Sequence, residues 1–140
     1  MPYRVLLSTS PPLGQIELSG AVSWAEIDAA LRALYGDPAW PPGTGVLLDA
    51  RAVAAVRVTP GEVGPEAPSA AEATMTALAG ARAGGRTAVV SRDLLFVSLA
   101  VVVGGLGPPT GREVRAFAEV EDALAFLGLA ALPEAGVVAP

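Results

Sequence analysis

Three short stretches of the chain hold residues whose types can do chemistry. Asp49 closes the apolar run Val46-Leu47-Leu48, and open α/β sheets gather ligands at the carboxyl ends of such strands. Ser91, Arg92 and Asp93 close Ala88-Val89-Val90 in the same way; ahead of a helix N-terminus they form a polar site able to hold an anion. Thr59, just before Pro60-Gly61, carries a hydroxyl. Each group also has a structural use. Asp49 pairs with Arg51 or takes a loop N–H, because a buried carboxylate needs a partner. Asp93 is a helix cap, and Thr59 is a cap or a turn residue.

Other chemistry is ruled out by what the chain lacks. There is no histidine, which removes the commonest general base and metal ligand, and no cysteine. All nine cations are arginines, so neither a Schiff-base lysine nor a phosphate-loop lysine exists. A hydrolase would have to drive Ser91 or Ser98 without histidine or lysine. The glycines of Gly104-Gly105-Leu106-Gly107 follow a helix instead of a strand, the wrong place for a dinucleotide cradle. Glu119, Glu121 and Asp122 surround a helix start, where they suit its dipole. No catalytic, cofactor or metal residue is assigned, and the expectation is a protein that is not an enzyme.

The 140 residues fit one domain, with 52% hydrophobic and 16% charged residues against roughly 25% charged for an average domain. That balance predicts a large core and more apolar surface than a lone monomer keeps exposed. A net charge of −5, with arginines scattered from Arg4 to Arg115, sets nucleic acid aside as a partner. The opening Met1–Leu7 lacks the apolar region of a signal peptide. The most hydrophobic run, Leu94 to Val103, is about half the ~20 residues a membrane span needs. A cytoplasmic protein without an integral membrane segment is expected.

The elements that must position these groups follow from pattern. Tyr3–Ser8 and Gln15–Leu18 read as an antiparallel hairpin around a Ser10–Gly14 turn. Ser23 and Glu26 form a capping box opening a helix with Trp24, Ile27, Leu31 and Leu34 on one stripe. Val46–Asp49 is a short central strand, and Ala50–Pro68 a long irregular loop. Ser69 and Glu72 open a second helix running to about Arg82. Thr87–Val90 is a second central strand, and Asp93 caps a third helix. Val114–Phe117 is a strand, and Val120, Ala123, Leu124 and Leu127 line a last helix. One domain, 1–132, with a loose tail, 133–140, completes the expectation.

This β-β-α-β-α-β-α-β-α order implies an α/β domain with a mixed, mostly parallel sheet and a leading antiparallel hairpin. With Val46-Leu47-Leu48-Asp49-Ala50-Arg51, Ala88–Phe96, Val114–Phe117 and Glu121–Leu127 in that order, the chain resembles the SpoIIAA-like, or STAS-like, domains. It is similar to the small stand-alone bacterial proteins of that group, most of unknown function. The resemblance implies a regulatory protein-interaction module. In anti-sigma-factor antagonists of the family, a serine at the start of the helix after the buried strand is phosphorylated. Here the Asp-Ser-Ser/Thr-Gly pattern is absent, and only Thr59 falls near the hydroxyl position, so the resemblance implies Thr59 as the regulatory phosphosite, where a phosphate would add about two negative charges.

The run Leu94–Val103 is apolar around its whole circumference except for Ser98, whereas a helix packed on one side of a sheet shows a polar outer side. A second subunit, the loop Ala50–Pro68 or an apolar ligand must therefore cover Leu94, Val97, Val101 and Val102. The expectation is a homodimer through this helix, with a carrier or sensor of a small, lipid-like ligand as the alternative.

Overall fold

The computed structural model describes residues 2–64 and 68–139. Met1 and Pro140, and Pro65, Glu66 and Ala67 of the expected loop, lie outside the described residues. Strand β1, Tyr3–Thr9, pairs antiparallel with β2, Pro12–Ser23, from Tyr3 opposite Leu18 to Thr9 opposite Pro12. The turn is tighter than expected. Only Ser10 and Pro11 lie between the strands, and the Ser8 hydroxyl donates to the Pro11 carbonyl (2.7 Å).

Helix α1, Trp24–Tyr35, starts where the capping box requires. The Ser23 hydroxyl accepts from the Glu26 N–H (3.3 Å), and the Glu26 carboxylate accepts from the Ser23 N–H (2.9 Å). The Ser23 hydroxyl also donates to the Glu26 carboxylate (2.8 Å), and this bond, with that from the Ser23 N–H, holds the Glu26 carboxyl below its ordinary range. Trp24, Leu31 and Leu34 are buried on the sheet. A Cβ on Gly14 would lie 2.9 Å from Leu34 and Trp40, so only glycine lets α1 approach β2 this closely.

Strand β3, Val46–Arg57, corrects the expected loop: its first four residues are the predicted strand, and eight more follow. The stretch reads as irregular because Ala50–Arg57 is rich in alanine. Its backbone is nonetheless satisfied by the far end of β2, from Ser19 opposite Ala52 to Ser23 opposite Arg57, while Val53 and Val56 pack against the core. Gly20 (φ +68°) sits where β2 shifts register, a backbone turn that side-chain-bearing residues resist.

Helix α2, Pro60–Val63, and helix α3, Ala70–Ala77, follow. The second predicted helix stops at Ala77, and turns carry the chain through Arg82 to Gly85. Then come β4, Arg86–Val90; α4, Leu94–Gly104; β5, Glu113–Phe117; and α5, Val120–Phe126. The expected loose tail is a second correction. Gly136–Ala139 form β6, which pairs antiparallel with β1 and satisfies backbone groups that β1 would otherwise expose at the sheet edge.

The result is an α/β fold with a mixed six-stranded sheet in the order β5-β4-β3-β2-β1-β6, parallel from β2 to β5. Helices α1, α3 and α4 bury the main core on one face, around Ile16, Val46 and Val89. Helix α5 covers Leu13, Leu47, Ala88 and Val90 on the other. No described helix is long and apolar enough to cross a membrane.

Candidate functional site

Helix α4 gathers the features of most functional interest. Asp93 caps it, its carboxylate accepting from the Leu95 N–H (2.9 Å), and the Ser91 hydroxyl accepts from the Asp93 N–H (3.1 Å). From Leu94 to Gly104 the helix carries no charge. Its inner side, with Phe96 and Val103 buried, rests on the main core. On its outer side Leu94 is 80% exposed, Leu95 65%, Val101 51% and Val102 52%, while Val97 is half-buried. Helix α2 touches α4 but leaves these four side chains open. Leu95 belongs to the same surface, although the sequence reading left it out.

Beneath α4 lies a partly open cavity of about 70 Å³, walled by the sheet and helices α1, α3 and α4. Ile27, Leu48, Met75, Leu99 and Ala100 are among its apolar walls, and Tyr35 and Thr87 also line it. Among the described residues, the one charged residue of its lining is Arg82, which is only 3% exposed. The Arg82 guanidinium lies 5.9 Å from the centre of the Tyr35 ring, yet among the described residues its buried Nε has no hydrogen-bond partner. Among the described residues no ion pair involves it.

Arg112 is the second buried arginine, and it is fully employed. Its Nε donates to the Arg82 carbonyl (2.9 Å), Nη1 to the Arg86 carbonyl (3.1 Å) and Thr87 Oγ1 (3.2 Å), and Nη2 to the Thr44 carbonyl (2.8 Å). It also stands 5.8 Å from the Tyr35 ring centre. Burial pushes its guanidinium below the ordinary arginine range, opposed by Tyr35 and reinforced by the charge of Arg82. Sequence reasoning missed both arginines. The available signal was faint: each lies beside glycines, Gly80 and Gly84 or Gly111, in turns that free backbone carbonyls to accept.

The predicted polar residues gather at one end of the sheet, with a change of role. Asp49 is the fourth residue of β3, opposite Glu17 and Val90, and does not end its strand, because β3 continues to Arg57. Arg51 grips it in a fork, Nε to Oδ1 at 2.9 Å and Nη2 to Oδ2 at 2.7 Å. Burial alone would raise the Asp49 carboxyl, but the hydrogen bonds and charge of Arg51 outweigh it and hold the group below its ordinary range. Arg92 pairs with Glu119, and Arg51 also feels the charges of Glu121 and Glu119. Asp49 and Arg51 are thus spent on each other and Arg92 on Glu119, while Ser91 supports the α4 cap.

Thr59 precedes α2, its N–H and hydroxyl both donating to the Glu62 carboxylate (2.8 and 3.1 Å). Among the described residues no group of three or more metal-ligating side chains comes together. Comparison with family models, curated proteins and solved structures finds no match to this chain.

Proposed function

We propose that the protein is a non-enzymatic, regulatory interaction module of the STAS-like type that forms a homodimer through the outer face of α4. The observation that carries this reading is the uncharged surface of Leu94, Leu95, Val101 and Val102. Solvating so many adjacent large apolar groups is unfavourable, and contact with a second copy removes them from water. A two-fold axis lets one self-complementary patch serve both chains. Crossed antiparallel, the two helices also set their dipoles head to tail. The succession of a leading hairpin and alternating helices and strands supports the family reading, with α2 and β6 as additions to it.

Light scattering tests it. The intact chain at micromolar concentration is expected at the mass of two chains, and Val101→Glu at the mass of one, still folded. A monomeric intact chain, or a Val101→Glu dimer, overturns the reading. The cavity on the other side of the same helix favours a second reading, a carrier of a small apolar ligand.

A further inference from the structure

The carrier reading can be taken to a ligand class, because the sheet is left incompletely covered beneath α4. We propose that the cavity there binds a compact, uncharged hydrocarbon without a polar head, held between Leu48 of the sheet and Leu99 and Ala100 of α4. The inference rests on that second reading and is independent of dimerisation.

Leu48 is the decisive observation. It lies in the middle of the sheet, with Ile16 of β2 and Val89 of β4 in register on either side. Both neighbours are buried (0% and 2% exposed), yet Leu48 between them is only half-buried. A helix packed directly on a sheet excludes water from so central a position. Leu99 and Ala100, on the α4 wall of the same cavity, are half-buried as well. The partly open space of about 70 Å³ therefore leaves apolar side chains short of contacts on both sides.

The lining sets the chemistry of the occupant. Among the described residues it exposes almost no polar surface to the cavity, and Arg82 is buried against the Tyr35 ring. A water molecule needs about two to four polar partners, so water gains little here. An apolar molecule gains by leaving water and restores the missing contacts. A charged or hydrogen-bonding head would lose its hydration without replacement. Size follows from volume. The cavity is roughly half the ~150 Å³ that accepts benzene, which suits a hydrocarbon of about three or four carbons. Met75, an unbranched side chain on the α3 wall, adapts readily to such a guest.

The test is an NMR titration of the intact chain with cyclopropane gas and, separately, with acetamide, a hydrogen-bonding molecule of similar size. Cyclopropane is expected to shift the methyl signals of Leu48, Leu99 and Ala100. It should bind about tenfold or more tightly than acetamide, as burial of two or more CH₂ groups allows. Ala100→Leu, which fills the cavity, should abolish those shifts; shifts that persist in it overturn the cavity as the site. Equal binding of the two molecules by the intact chain overturns the apolar class while leaving a pocket. Cyclopropane shifts that are absent, or confined to the outer side of α4, overturn the carrier reading as well, whereas light scattering decides dimerisation separately. If Ala100→Leu fails to fold, the cyclopropane–acetamide comparison still decides.

Discussion

Arg112 and Arg82 lie against the same ring, 5.8 and 5.9 Å from the centre of Tyr35, and both are buried, yet their surroundings treat them in opposite ways. Around Arg112 the chain brings the carbonyls of Thr44, Arg82 and Arg86, so the guanidinium ties the start of β5 to the approach to β3, to the turn before β4 and to the first residue of β4. Around Arg82 the neighbours are a ring and an apolar cavity. A buried cation that is fully hydrogen-bonded acts as a structural clamp. One whose Nε finds no acceptor among the described residues is a cost to folding.

The largest expected effect comes from breaking the satisfied side of this contrast. Arg112→Met should destabilise the fold by about 3–5 kcal/mol, since it leaves buried carbonyls without donors. The urea midpoint measures it, and a loss under about 1 kcal/mol would erase the clamp. Arg82→Met should do the reverse, leaving stability unchanged or raising it by on the order of 1 kcal/mol, because an apolar side chain replaces a buried charge that makes no ion pair among the described residues. A loss as large as that at Arg112 would place both arginines in the same structural role.

The Asp49–Arg51 pair, partly exposed, sharpens the comparison from the other side. The folded-state carboxyl of Asp49 titrates below its unfolded value, so the folded chain binds fewer protons in acid. The stabilisation is present above the unfolded value of about 3.9 and is lost as pH falls through the lower folded one. With solvent screening it amounts to less than about 1 kcal/mol. Asp49→Asn should therefore be slightly less stable at neutral pH, and the gap should close on acidification. A gap that persists unchanged in acid would assign the loss to packing instead of charge.

Much of the fold was legible because local rules and tertiary packing agree. The Ser23–Glu26 box, the Ser69 and Asp93 caps, the buried pair Val46–Leu47 and the buried run Ala88–Val90 all lie where pattern put them. The far half of β3 was not legible, because alanines give neither the alternation nor the apolar run that marks a strand, and only pairing with β2 decides it. β6 was hidden for a similar reason: four small or branched residues become a strand through the partner that β1 offers. At the candidate site, the apolar girth of α4 was visible in sequence. The burial of Arg82 was not, since arginine ordinarily signals surface and nothing local marks the exception.

The two borders of the sheet differ in what they invite. β5 faces outward with Glu113 and Arg115, charges that discourage another chain from adding a strand. The opposite border would be β1, whose Val5, Leu6 and Leu7 make a sticky template, were β6 not laid over it. Four residues near the end of the sequence therefore act as a guard against self-association of the wrong kind. Shortening the chain at Pro133 would trade an ordered pairing for an aggregation-prone edge.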